Sequence, residues 1–135
     1  MSTYGMEIKL KGTMDVVKAG VVEALKSQGF GVLTEIDVQK TLKQKIGVDF
    51  KPYLILGACN PHLAHKALST DESVGLLLPC NVVLKQEGDD VEVSILDPEV
   101  MFSIVEPETK KALAALPQEA KARLQAALAA LKRQG

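Results

Sequence analysis

Two strand-like segments in the second half of the chain, residues 75–85 and 91–97, are separated by the polar connection Gln86-Glu87-Gly88-Asp89-Asp90. A polar connection of this length with one glycine is typical of an antiparallel β-hairpin. Pro79 lies inside the first segment and cannot donate a hydrogen bond to a β-ladder, which predicts an edge position, a bulge or a kink there. The hairpin therefore limits the fold to a mixed or antiparallel sheet.

Hydrophobic periodicity predicts three further strands. Apolar and polar residues alternate in residues 5–11 and 30–38, which is the pattern of a strand with one solvated face. The run 53–59 is apolar on both faces and predicts a central strand that is covered, at least in part, on both sides. Together with the hairpin, these segments predict a sheet of five strands.

Helices are predicted between the strands and at the end of the chain. Apolar residues recur every three or four positions after Thr13, Asp37 and Asn60, and each of these three residue types is a good helix N-cap. The Ala- and Leu-rich tail from Pro107 predicts a short and a final helix, divided at Pro117. Three long amphipathic helices cover one face of a five-stranded sheet better than both, so the other face is free to meet a partner subunit. We expect an α+β fold that forms a single domain over residues 1–135.

Charge and composition exclude several function classes. Sixteen basic and seventeen acidic residues give a net charge of -1, and the chain has no tryptophan, so we expect no nucleic-acid binding. The longest apolar runs are about half of a membrane span, which predicts no membrane association. The N-terminal segment lacks the pattern of a secretory signal, and two cysteines are too few for a disulfide scaffold. We expect a cytoplasmic protein with reduced cysteines.

A pair of related tripeptides is the most informative functional feature: Cys59-Asn60-Pro61 and Pro79-Cys80-Asn81 each place Cys-Asn beside a proline. Cys59 lies where a strand ends and a helix begins, so the positive end of the helix dipole would favour its thiolate. This makes Cys59 a candidate nucleophile or redox residue. The alternative is that both cysteines are small apolar residues of the core.

Two other groups of side chains are candidate sites. Cys59 and Cys80 could join His62 and His65 in a zinc site, but the spacing matches no standard finger and the histidines lie on the exposed side of their helix, so we expect no metal and no cofactor.

The second group is acidic. Glu35 and Asp37 lie on one face of their strand, where paired carboxylates can share a proton or bind a cation, and Asp97 could join them. The alternative is that Glu35 is solvated, Asp37 caps a helix and Asp97 forms a turn before Pro98.

Three segments carry a family resemblance: residues 29–37, 53–61 and 75–82. At these segments, and over most of its length, the chain resembles domain-of-unknown-function family 302. The resemblance implies a curved, mainly antiparallel sheet with helices on one face, similar to the TATA-box-binding-protein-like class, and a homodimer. It supplies no activity or catalytic residue, and the fold analogy implies no DNA binding.

Three hypotheses follow for the function. The first is a homodimeric module that binds a small molecule or a partner in a pocket near the two Cys-Asn turns, with ligand-binding candidates Glu35, Asp37, Cys59, Asn60, Cys80 and Asn81. The second is a thiol-dependent enzyme or redox protein that uses Cys59, with Asn60, Asn81 or Glu35 orienting the substrate. The third is a purely structural or assembly protein, so enzyme and non-enzyme hypotheses both stand.

Overall fold

The computed structural model describes residues 3–134. Its five strands are β1 (Gly5–Lys11), β2 (Gly31–Asp37), β3 (Tyr53–Cys59), β4 (Cys80–Glu87) and β5 (Asp90–Leu96). They form one sheet in the order β1-β5-β4-β3-β2, and every neighbouring pair is antiparallel. The helices lie on one side of the sheet, which confirms the predicted α+β class.

The helices occupy the connections and the C-terminal part of the chain. The α-helices are α1 (Met14–Ser27), α2 (Val38–Ile46), α3 (Pro61–Thr70), α4 (Pro98–Met101), α5 (Pro107–Ala112) and α6 (Leu116–Gln134), with short 3-10 helices at Glu72–Leu77 and Phe102–Ile104. Thr13, Asp37 and Asn60 cap α1, α2 and α3 with their side chains, as predicted. Pro117 lies in the first turn of α6, where its missing N–H costs no helical hydrogen bond.

The β4–β5 hairpin is present, but its first strand begins later than predicted. Residues Glu72–Leu77 form a 3-10 helix, and Asp71 caps it by accepting a hydrogen bond from the Ser73 N–H at 2.9 Å. Pairing with β3 starts at Cys80, directly after Pro79. The prediction that Pro79 lies within a strand is therefore wrong, since the proline precedes the ladder.

The main core lies between the covered face of the sheet and helices α1 and α6. Its innermost side chains are almost fully buried, and burial of each leucine contributes roughly 1.5–3 kcal/mol to folding. They include Val21, Leu25, Leu56, Leu84, Val93, Ile95 and Leu124. A second cluster packs beneath α3 and the C-terminal connections, and it contains Ala67, Val74, Phe102, Leu113 and Leu116. Leu63 of α3 packs against both clusters.

The opposite face of the sheet is not covered by a helix in the described part of the chain. At its β2–β3–β4 end, Ile36, Ile55 and Val83 lie in register, and Ile36 is 48% exposed. Next to them, Lys85 forms an ion pair with Glu92 over 3.0 Å. We call this surface the open face; it carries an apolar patch flanked by charges of both signs.

Candidate functional site

A cavity of about 50 Å³ lies where the ends of β3 and β4 meet helices α3, α4 and α6. Most of its walls are apolar. The lining residues are Phe30, Ala58, Cys59, Asn60, Leu63, Ala64, Ala67, Leu78, Cys80, Pro98, Met101, Phe102, Leu116 and Ala120. The structure therefore brings together three of the residues singled out in the sequence, Cys59, Asn60 and Cys80.

Asn60 is held in place by its role at the start of α3. Its side-chain oxygen accepts hydrogen bonds from the N–H groups of His62 at 3.1 Å and Leu63 at 3.2 Å. Only 6% of the residue is exposed. Pro61 follows at the first helical position, so the sequence Asn60-Pro61 specifies the helix start locally. Asn60 thus forms a rigid polar corner in an otherwise apolar wall.

Cys80 is the buried thiol of the site. It is 7% exposed, and its sulfur lies 4.0 Å from the Leu96 carbonyl oxygen. Burial, followed by the neighbouring Cys59, raises the pKa of the Cys80 thiol to about 11. The thiol is therefore neutral at pH 7 and behaves as a small apolar wall residue.

Cys59 differs from Cys80 in its surroundings. It is half-buried and lies at the last position of β3, directly before the N-cap of α3. The sheet register pairs Ala58 with Cys80 and Gly31 with Cys59, so strand alternation assigns the two cysteines to opposite faces. Both are free thiols. The cysteines therefore border one cavity without forming a pair on one face.

The second Cys-Asn dipeptide is not equivalent to the first. Asn81 is exposed on the open face, opposite Gly57 of β3. The backbone there is crowded, because a Cβ added at Gly57 would overlap the Thr34 hydroxyl and lie 2.7 Å from Pro79 Cγ. Asn60 caps a helix at the cavity, whereas Asn81 lies outside the cavity wall.

The candidate carboxylates do not line the cavity, and each has its own bonding partner. Glu35 forms an ion pair with Lys18 of α1, and Asp37 accepts a hydrogen bond from the Lys40 N–H at 2.9 Å. Asp97 lies beyond β5 and binds Lys121 over 2.9 Å. Two strands separate β2 from β5, so Asp97 does not join Glu35 and Asp37. The structure places Glu35 in an ion pair and Asp37 at the cap of α2. Asp97 caps α4 by accepting a hydrogen bond from the Glu99 N–H at 2.9 Å, whereas the sequence suggested a turn.

The described residues contain no cluster of three or more metal-ligating side chains. His62 and His65 are exposed on α3, as expected from their spacing. Within residues 3–134 there is also no helix with the length and apolarity needed to cross a membrane.

Sequence reasoning missed most of the cavity wall. Phe30, Leu78, Met101, Phe102 and Leu116 come from connections and helix ends that are distant in the chain. Their only signal in the sequence is that they are apolar, and this signal is shared with every core residue. The wall is defined by long-range packing and not by a local motif.

Comparisons with known proteins agree with this fold. The family described as "Domain of unknown function DUF302" matches residues 6–131. A crystal structure of an uncharacterized conserved protein DUF302 from Bacillus stearothermophilus is 29% identical, with a TM-score of 0.82 over 96% of this chain and 99% of that chain. No curated protein matches the chain significantly. Because the family match spans nearly the whole sequence, the chain belongs to the DUF302 family.

Proposed function

We propose that this protein is a homodimeric binding module that holds a small molecule or part of a partner in the cavity beside the two Cys-Asn turns. The observation that carries the proposal is the apolar cavity bordered by Cys59, Asn60 and Cys80. Protein interiors are normally packed without voids larger than a water molecule, so an apolar space of this volume is a feature of few positions in a domain. Concave, mostly apolar sites with a few fixed polar groups are typical of ligand pockets.

The walls of the cavity support binding more than catalysis. Asn60 uses its side-chain oxygen to cap α3, and the Cys80 thiol stays neutral. Neither group is poised to transfer a proton at neutral pH. A site of this kind is suited to holding an apolar group and to sensing or carrying it.

Equilibrium dialysis of the full-length protein against the small-molecule fraction of a cell extract, read by mass spectrometry, tests the binding function. We expect at least one compound to be enriched on the protein. Its enrichment should be lost in Ala64→Leu, which fills the cavity, and kept in Ala122→Leu, which lengthens an exposed side chain of α6. Enrichment of no compound, or equal enrichment by all three proteins, would contradict the proposal.

The open face supports the homodimer. Ile36, Ile55 and Val83 form an apolar patch on a sheet face that no described helix covers. The flanking Lys85–Glu92 pair offers both charge signs, which suits a two-fold contact in which each surface meets its own copy. We therefore assign the second copy of this chain, and not a different partner, to the open face.

Light scattering coupled to size-exclusion chromatography tests the dimer. We expect the wild type to elute with twice the mass of one chain and Ile36→Lys to elute as a monomer. Leu76→Lys is the matched control, because Leu76 is 89% exposed but lies in the 3-10 helix after α3. A monomeric wild type, or a dimeric Ile36→Lys, would contradict the assignment of the open face.

The same proposal extends to the location of the protein. Two free cysteines fit a reducing compartment, and the ion pairs that balance the charges of the open face do not form a phosphate-binding surface. We propose a cytoplasmic protein that acts without nucleic acid. An electrophoretic mobility-shift assay tests the absence of nucleic-acid binding. We expect micromolar protein at low salt to leave the mobility of labelled DNA and RNA unchanged.

A second candidate function is a thiol-dependent enzyme or redox protein that uses Cys59. The observation that favours it is the position of Cys59, half-buried at the cavity edge and directly before the N-cap of α3. Alkylation of Cys80→Ala, in which Cys59 is the remaining cysteine, tests it. An alkylation rate at pH 6 close to that at pH 8 would support this candidate. A rate with the pH dependence of an ordinary thiol would contradict it, and the binding module would then be the remaining proposal.

A further inference from the structure

We infer that the ligand of this cavity inserts an uncharged alkyl chain end between α3 and α6 and leaves any polar headgroup outside. The inference rests on the proposed binding function and names the chemical class of the ligand. It is carried by three properties of the cavity: the chemistry of its wall, its volume, and the small side chains on the facing helices.

The wall of the cavity offers no partner for a charge. The lining residues include no Asp, Glu, Lys, Arg or His, and the buried Cys80 thiol is neutral. The Asn60 oxygen already accepts two backbone hydrogen bonds. A charged group that entered would lose its hydration with no counter-charge in the wall, which is unfavourable by several kcal/mol. The chemistry of the wall therefore selects an uncharged, apolar group.

The volume of the cavity decides between a ring and a chain. About 50 Å³ is available. This is about one third of the ~150 Å³ in which an engineered protein cavity binds benzene. A ring does not fit without widening the site, whereas the end of a linear chain does. Met101, with its unbranched and adaptable side chain, lies in the wall and can adjust to chains of different length.

Small side chains on the facing helices create the space. Ala64 and Ala67 of α3 and Ala120 of α6 all line the cavity, and each occupies a position where a larger apolar residue would fill it. Ala64 is half-buried, whereas Ala67 and Ala120 are buried, so Ala64 lies nearest to solvent. The chain end would therefore enter past Ala64 and run towards the buried alanines.

Straight-chain alcohols from ethanol to 1-octanol are the probes for the test, titrated into the full chain while the methyl signals of Leu63, Leu78 and Met101 are followed by NMR. We expect saturable shifts of these signals. The affinity should rise about fourfold for each added methylene, the factor that corresponds to ~0.8 kcal/mol per buried CH₂. It should then level off at the chain length that fills the cavity.

Variants separate binding in the cavity from binding elsewhere. Ala64→Leu should weaken the binding of 1-hexanol at least tenfold, and the milder Ala64→Val should weaken it less. Both variants should keep or raise the melting temperature, because they fill a void. Ala122→Leu, on the exposed side of α6, should bind 1-hexanol like the wild type.

The outcomes distinguish failure of this inference from failure of the proposed function. Alcohols that bind without a plateau, or bind equally to Ala64→Leu, would overturn the inference. If the alcohols do not bind, but an extract compound is enriched on the wild type and not on Ala64→Leu, the inference is wrong and the binding function stands. If neither alcohols nor extract compounds bind, both are wrong.

Discussion

The Thr109 hydroxyl donates a hydrogen bond to Asp71 Oδ2 over 2.7 Å, and this bond connects α5 to the segment that follows α3. Thr109 is buried, with 6% of its surface exposed. The hydrogen bond from Thr109, assisted by that from the Ser73 N–H, lowers the pKa of the Asp71 carboxyl below its usual 3.8. The carboxylate form of Asp71 therefore stabilises the folded chain.

This relationship gives a prediction for Thr109→Val. The variant should be less stable than the wild type at neutral pH, because it places a methyl group against Asp71 Oδ2, which then lacks its hydrogen-bond donor. A carboxyl group whose pKa is lowered by folding stabilises the protein at pH values above its pKa in the unfolded chain. This stabilisation is lost as the pH falls through its pKa in the folded chain. The difference in free energy of unfolding between the two proteins should therefore shrink below pH 3.8.

Urea unfolding between pH 2.5 and 7 measures this difference. Thr70→Val is the control, since the Thr70 hydroxyl donates to the Lys66 carbonyl oxygen of its own helix and has no charged partner. Its effect should not depend on pH. If the loss of unfolding free energy in Thr109→Val stays constant down to pH 2.5, the hydrogen bond to the carboxylate is not the cause of that loss.

Gly57→Ala should destabilise the protein by about 1–3 kcal/mol, the usual range for overpacking. The added Cβ would overlap the Thr34 hydroxyl and lie 2.7 Å from Pro79 Cγ. Gly31→Ala is the matched control on the neighbouring strand, where an added Cβ has no neighbour within 4 Å. Adding Thr34→Ala to Gly57→Ala should restore part of the loss in thermal unfolding, and equal stability of the two glycine variants would refute the packing argument.

Asn60→Ala should destabilise the protein by roughly 0.5–2 kcal/mol, because it removes the cap of α3. Asn81→Ala should change the stability by less than about 0.5 kcal/mol, as expected for an exposed residue. Chemical denaturation of the two variants compares the two Cys-Asn turns directly. Equal losses would mean that the turns play equivalent structural roles, contrary to the different environments of Asn60 and Asn81.

The stability of the protein should fall as the pH rises from 9 to 11. Burial first, and repulsion from Cys59 second, raise the pKa of Cys80 from 9.0 to about 11. The unfolded chain therefore ionises this thiol before the folded chain does. A group whose pKa is raised by folding stabilises the protein fully at pH values below its pKa in the unfolded chain. This stabilisation is lost as the pH rises through its pKa in the folded chain. At pH 10.5 the loss attributable to Cys80 should be about 1–2 kcal/mol.

Denaturation under reducing conditions at pH 8 and 10.5, compared among wild type, Cys80→Ala and Cys59→Ala, measures this effect. Cys80→Ala should show the smaller decline. Cys59→Ala should keep most of the wild-type decline, since burial is the larger cause. An equal loss of stability between pH 8 and 10.5 in the wild type and Cys80→Ala would contradict the conclusion that the buried Cys80 thiol is neutral.

Local signals in the sequence predicted most of the fold. The caps Thr13, Asp37 and Asn60 each act on backbone N–H groups two or three residues away, so a short stretch of sequence determines them. The β4–β5 hairpin is likewise encoded by adjacent alternating segments and a polar turn. These elements were predicted because the interactions that form them are close in sequence.

Elements determined by distant contacts were not predicted. The apolar residues of Glu72–Leu77 resemble a strand, but they form a 3-10 helix whose cap, Asp71, is held by the distant Thr109. The cavity is assembled from Phe30, β3, α3, α4 and α6, and no periodicity links these segments. The sequence indicated where the two Cys-Asn turns lie, whereas the space beside them depends on how the helices pack.

Native mass spectrometry of the tag-free protein, after incubation with the small-molecule fraction of a cell extract, tests the central claim most directly. We expect the wild type to be a dimer that carries an added non-protein mass, and Ala64→Leu to be a dimer that carries none. A monomer, or a dimer whose mass is that of two bare chains in both proteins, would contradict the proposed homodimeric binding module.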